Sequence, residues 1–225
     1  MSPFTDFFNK LGEKIGTDGV DDGVKVVVIN QDKAKKISKI EGEVNILDDN
    51  LDIKPSDIVA LPNDRTLREG LNVLDRTEKN GGLKEESSRV GDNLIFASKT
   101  GEEAKISQDK EGNNVAIAES NQEALSLPRG SKITSSIHSH PTVALEKGND
   151  IFPFSTEEPS PQDKTSFKNQ SVNIIAGRIG GKEGLSRDST GKLVDSRETG
   201  ISIFNSKSVL QITLSKDVLK SILSN

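Results

Sequence analysis

The segment SSIHSHPT, residues 135–142, holds both histidines of a 225-residue chain, His138 and His140, one residue apart and followed by Pro141. On a β-strand, residues two apart point to the same face, so this spacing sets the two imidazoles side by side and turns Ser139 away. Two rings so placed can clamp a metal ion; the competing reading is a pair of strand histidines making ordinary hydrogen bonds. Farther along, PSPQD at 159–163 puts Ser160 and Asp163 on one face of a helix's first turn. Ser160 as N-cap, Pro161 at the first helical position and Asp163 at the third form a capping arrangement that needs no metal. The same rigid turn is a platform from which Asp163 can reach a neighbouring strand.

Counting donors narrows the chemistry. The absence of cysteine excludes disulfides, thiolate ligands and a Cys nucleophile together. With only two imidazoles, the chain falls short of metallo-β-lactamase-like hydrolases, histidine-rich phosphoesterases and three-His cupins, and zinc deaminases need thiolates. A site of two His and one carboxylate survives; zinc in such a site keeps a position open for water and lowers its pKa toward neutrality. The net charge of −5 and the lack of any Lys/Arg block leave no footprint for nucleic acid.

These residues need elements to hold them. Phe4, Phe7, Phe8, Leu11 and Ile15 fall at helical spacing before Gly16 and predict a short amphipathic helix over residues 3–15. GTDGVDDG reads as a turn whose carboxylates lack the alternation of a calcium loop. VKVVVIN, 24–30, reads as a strand, and residues 31–62 as a polar, irregular elaboration. Asn63 or Asp64 caps a helix with Leu67, Leu71 and Leu74 on one face, ending near Gly81 and Gly82. Strands are expected in SSRVG, DNLIFASK, NVAIAES and KITSSIHSH, followed by a long loop over 141–159 and a helix from about Ser160. SVNIIAGRIGG, GISIFNS and VLQITLS complete the strands, and DVLKSILSN makes a terminal helix. This order is that of an α+β, or mixed α/β, domain at 61–225 behind an N-terminal extension at 1–60. No apolar run is long enough to span a bilayer and the first residues are too polar for a signal peptide, so a soluble protein is expected.

HSHP followed by PSxxD resembles the signature of the JAB/MPN, or JAMM, metalloproteases, which include isopeptidases. The resemblance covers residues 63 to about 180. It implies a JAB/MPN-like (cytidine-deaminase-like) core, a mixed sheet flanked by helices, with His138, His140 and Asp163 binding Zn2+. It also implies that Ser160 hydrogen-bonds near the attacking water or the oxyanion, and that an upstream glutamate is the general acid and base. The family order of elements places KEESSRVGDNLIF at the glutamate strand, which leaves Glu85 or Glu86. A closer resemblance, to JAB-like toxin domains of bacterial Rhs-type polymorphic toxins, aligns EESS (85–88) with an EYGG-like segment and favours Glu85. The GTDG…DG turn ahead of VKVVVIN also resembles the start of those domains. Two departures stand out: residues 142–159 lengthen the gap before Ser160, and Ser87 and Ser88 occupy positions where glycines are expected.

The resemblance therefore implies a zinc-dependent peptidase or isopeptidase acting as the C-terminal effector domain of a polymorphic toxin. Its partners would be a protein or peptide substrate and a cognate immunity protein, with no nucleic acid. It would be exported by a dedicated secretion system within a larger protein and act in the target cell's cytoplasm; otherwise it would be cytoplasmic. The alternatives are a catalytically silent binding module on the same fold and a metal-dependent nuclease toxin. The retained ligand set argues against the first, and the acidic pI of about 5.3 against the second.

Overall fold

In a computed structural model of the chain, residues 6–19, 23–92, 94–120 and 132–225 are described. Helices and mixed sheets alternate in an α+β arrangement, and the chain divides into two compact units, Met1–Arg68 with Asp217–Asn225, and Glu69–Lys216. None of the described helices is long and apolar enough to cross a membrane.

The first unit is built on β1 (Asp6–Phe8), β2 (Lys14–Thr17), β3 (Lys25–Val28), α1 (Gln31–Ile37) and β4 (Ile58–Ala60), with sheet order β2-β1-β3-β4. The helix expected over 3–15 is instead the β1–β2 hairpin; Phe4 lies outside the described residues. β1 pairs on both sides, antiparallel to β2 and parallel to β3. Phe7 and Phe8 are both fully buried, because consecutive side chains of a central strand enter opposite, covered faces. Phe7 joins Val26, Val28 and Ile37 in one cluster, whereas the Phe8 ring lies 5.8 Å from Lys25 Nζ. The chain reverses where the Asn9 side chain accepts from the backbone of Leu11 and Glu13. Gly12 takes φ +77° there, and a Cβ on it would sit 2.7 Å from the Val218 carbonyl oxygen. A run too short to separate a period of 2 from one of 3.6 was thus decided by its partners.

The stretch 31–62, expected as a polar, irregular elaboration, opens on α1 and ends with β4, with no helix or strand over 38–54. Asn30 caps α1 by accepting from the backbone N–H groups of Asp32 and Lys33, and Ala34, Ile37, Val44 and Leu51 are buried in the same cluster as Phe7. The segment supplies one wall of this unit's core, with so few apolar residues among its lysines that no periodicity shows. Replacing Ile37 by Ala should therefore cost about 2–5 kcal/mol in urea unfolding, as a core truncation does and a loop substitution does not.

α2 (Asp64–Lys79) follows, capped by Asn63, whose side chain accepts from Thr66 N at 2.9 Å. Gly81 and Gly82, both at positive φ, end it as expected. Then come β5 (Ser87–Gly91), β6 (Ile95–Ala97), β7 (Lys105–Gln108), β8 (Asn114–Ile117), β9 (Ile133–Ser139), β10 (Leu145–Lys147) and β11 (Asp150–Phe152). α3 (Pro161–Ser166), β12 (Val172–Arg178), β13 (Leu185–Arg187), β14 (Leu193–Asp195), β15 (Thr199–Asn205), β16 (Leu210–Ser215) and α4 (Lys216–Ser224) complete the chain.

The second unit is organised by a six-stranded sheet, β16-β15-β12-β9-β5-β6. β9 and β12 are parallel, joined by the segment that carries α3, and their other neighbours are antiparallel. The strands expected around residues 87–97, 133–139, 172–178, 199–205 and 210–215 are present. β7 and the β13–β14 hairpin carry no alternation that singles them out, and the loop expected over 141–159 contains the β10–β11 hairpin. α4 returns to the first unit, where Lys25 Nζ donates to the Ile222 carbonyl and Arg68 to that of Leu223. Cations at a helix C-terminus satisfy carbonyls that have no partner within the helix.

Candidate metal centre

The centre is set by strand parity. Ser87 of β5 is the register partner of His138 of β9, and Ser139 N donates to the Glu86 carbonyl one step farther on. Continuing that count sets Glu85 beside His140, so Glu85, Ser87, His138 and His140 share one face of the sheet. Glu86, Ser88 and Ser139 share the other, where α2 lies. There the hydroxyls of Ser139 and Thr77 share a 2.6 Å hydrogen bond, and Ser88 Oγ accepts from Arg76. The Glu86 carboxylate accepts from Asn80 Nδ2 and Thr100 Oγ1, each at 2.8 Å. The two candidate glutamates are thus separated: Glu86 is engaged with α2 and Thr100, and Glu85 lines the cleft with His140.

Asp163 arrives from the other side. Ser160 caps α3 by accepting from Asp163 N at 3.1 Å, and the Asp163 carboxylate accepts from Ser160 N at 2.8 Å. Both halves of the expected capping box are present, and the fixed carboxylate faces the rings. Its Oδ1 is 3.1 Å from His138 Nε2 and its Oδ2 is 3.4 Å from His140 Nε2. The ring centroids lie 5.4 Å apart, and the ligand atoms of all three residues fall within 4.8 Å of one another. His138, His140 and Asp163 could therefore hold a metal ion.

Two details fit a cation. His138 is 2% exposed, and although its Nε2 is close to Asp163, the alignment is too poor for a hydrogen bond, so the buried nitrogen has no partner. Native interiors rarely leave such an atom unsatisfied. His140 Nδ1 lies 2.7 Å from the Ser155 carbonyl; a carbonyl only accepts, so Nδ1 carries the proton and the Nε2 lone pair turns toward Asp163. Ser155 belongs to the long segment between HSHP and Ser160. Next to it, Thr156 is tied by a backbone bond to the Arg178 carbonyl and by its hydroxyl to Ser202. This segment thus fixes the orientation of a candidate ligand. Sequence reasoning missed Ser155 because a main-chain carbonyl leaves no signature in residue type.

The electrostatics follow. For Asp163, burial works to raise the pKa, but attraction to His138 and His140 overwhelms it, leaving the carboxyl well below the usual range. Burial works to lower the His138 pKa, and the Asp163 and Glu85 charges together reverse this into a net rise. Glu85, 6% exposed, is pushed up chiefly by burial, against the pull of the two histidines. A carboxyl raised in this way sits nearer the range in which it can both accept and return a proton.

These residues open on a cleft of about 470 Å³, lined by Glu85, His140, Ser160 and Asp163 together with the end of β8 and the Pro153–Ser155 segment. His138 lies beneath it, with its ring centroid 6.2 Å from that of the fully buried Phe167. The structure therefore brings together all five expected site residues. Comparison with protein-family models, curated proteins and solved structures finds no match to this chain.

For the metal-free protein, the linkage signs give a window. The raised His138 pKa contributes stability below its unfolded value of 6.5, lost as pH rises through the folded value. The depressed Asp163 pKa contributes stability above 3.8, lost as pH falls through the folded value. The thermal midpoint of chelator-treated protein should fall as pH rises above 6.5 through the raised value of His138, and this fall should be smaller in His138→Gln.

Proposed function

We propose that this chain is a zinc-dependent peptidase or isopeptidase of the JAB/MPN type. The observation that supports it best is the convergence of His138, His140 and Asp163, with His140, Asp163 and Glu85 lining one cleft. Two imidazoles and one carboxylate are a donor set that zinc accepts, and the unpartnered His138 nitrogen fits a cation. Zinc, when bound there, supplies Lewis acidity toward a carbonyl oxygen and makes water a nucleophile near neutral pH.

The chain's own residues supply the rest. Glu85 is the general base: its carboxylate takes a proton from the attacking water and delivers it to the nitrogen of the departing amine. Ser160 Oγ already accepts from Asp163 N, so its O–H remains to donate to the oxyanion that develops on the former carbonyl oxygen. Ser155 and the α3 capping box hold His140 and Asp163 in place, so these groups need little rearrangement during the reaction.

The biological setting we propose is that of an effector domain: a toxin tip delivered within a larger bacterial protein and restrained by an immunity partner. The support is the likeness of EESS, HSHP and PSxxD, in that order, to JAB-like toxin domains. Such a domain acts in the cytoplasm of the target cell on a protein or peptide.

Zinc content decides the centre. Roughly one zinc per chain is expected in the wild type and none in a His138→Ala, His140→Ala double variant, by metal analysis after dialysis; equal contents would overturn the site. Glu85→Gln should keep the zinc while losing about 10²–10⁴-fold in peptide cleavage, and with it the arrest of bacterial growth on cytoplasmic expression. Unchanged cleavage would remove Glu85 from the chemistry.

A further inference from the structure

The charge of the cleft is one-sided. Four carboxylates line it, those of Glu85, Glu119, Glu158 and Asp163, and among the described residues neither a Lys nor an Arg does. Asp163 is engaged by the histidines. Glu85 is nine-tenths buried, and no described side chain donates a hydrogen bond to its carboxylate. If a dication occupies the centre, these two charges balance it. Glu119 and Glu158 then remain as an uncompensated pair.

Both are exposed, and neither forms an ion pair among the described residues. Some exposed carboxylates elsewhere in this unit are paired, as Glu146 is with Arg187 and Glu78 with Lys216, and others, such as Glu102 and Glu183, are not, among the described residues. Glu119 follows β8 and Glu158 follows the Pro153–Ser155 segment, so the charge comes from two separate parts of the rim. The lining also includes the apolar residues Ile117, Pro153 and Phe154. An adjoining cleft shares Pro153, Phe154 and Glu158 and contains Lys182.

We propose that this cleft recognises a peptide carrying a Lys or Arg side chain beside the bond to be cut, with Glu119 and Glu158 as its carboxylate partners. The aliphatic stem of such a side chain lies against Ile117 and Phe154 while its cationic head reaches the rim, an amphipathic fit that neither an acidic nor a small polar residue makes. Complementary charge at a cleft mouth also raises the encounter rate with a cationic chain and disfavours an anionic one. The proposal rests on the peptidase reading for the bond, and on the cleft alone for the preference.

Binding separates the two. Fluorescein-labelled hexapeptides of alternating alanine and arginine, of alternating alanine and glutamate, and of alanine alone are titrated by fluorescence anisotropy against zinc-loaded Glu85→Gln protein. The arginine peptide should bind about fivefold to tenfold more tightly than the alanine peptide, and the glutamate peptide more weakly still. Adding Glu119→Lys and Glu158→Lys should abolish or invert that order. Glu41→Lys with Asp49→Lys changes the net charge equally in the first unit and should leave the order intact. Equal binding of all three peptides, binding of none, or equal loss in both lysine pairs would overturn the proposal. Ordered binding with no cleavage of the arginine peptide by zinc-loaded wild type would leave the recognition standing and count against the peptidase reading.

Discussion

The antiparallel register between β5 and β9 is the constraint on which the rest of the site depends. Because side chains alternate strictly along a strand, the pairing of Ser87 with His138 commits Glu85 and both histidines to one face and Glu86, Ser88 and Ser139 to the other. A slip of one residue would exchange the two sets. The α2 side resists that slip with a polar layer: Thr77 holds Ser139, Asn80 and Thr100 hold Glu86, and Arg76 and Glu69 hold Ser88. Any slip would leave these buried groups unpaired, and an unpaired buried group costs more than a hydrogen bond contributes. The face that carries the candidate ligands thus owes its order to the polar layer on the opposite face.

The same economy appears at α3. A capping box is a local device for satisfying the free N–H groups of a helix start, and here it also aims the Asp163 carboxylate at the two imidazoles. The capping and ligand readings of PSPQD are not rivals, since the bonds from Ser160 leave Asp163 little freedom to lose when it meets a cation. The lengthened stretch before it contributes as well, because the Ser155 carbonyl selects the protonated nitrogen of His140.

Legibility followed the physics of each signal. The dense β-branched strands of the second unit, α2 with its leucines, and the Ser160 cap were all visible, because each rests on local spacing or a turn-specific side chain. The β1–β2 hairpin was not: Phe7 and Phe8 suit either a helix face or a central strand, and only partners distant in sequence decide. α1 was hidden because its buried stripe is Ala34 and Ile37 alone among charged residues. At the site, His138, His140 and Asp163 were readable from type and spacing. The choice between Glu85 and Glu86 was not, because adjacent residues differ only in parity, and parity is fixed by a ladder with a strand some fifty positions away.

The buried charges explain why this arrangement favours a cation. A neutral His138 left beside an ionised Asp163 has a nitrogen without a hydrogen-bond partner, and a protonated one carries a charge into a site where burial opposes it. Either state is a compromise between desolvation and pairing. A divalent ion would remove the conflict, since both imidazoles would then stay neutral and Asp163 ionised. The groups that are strained without a metal are those a metal would use, so the cost of burying them measures how strongly the fold is prepared for one.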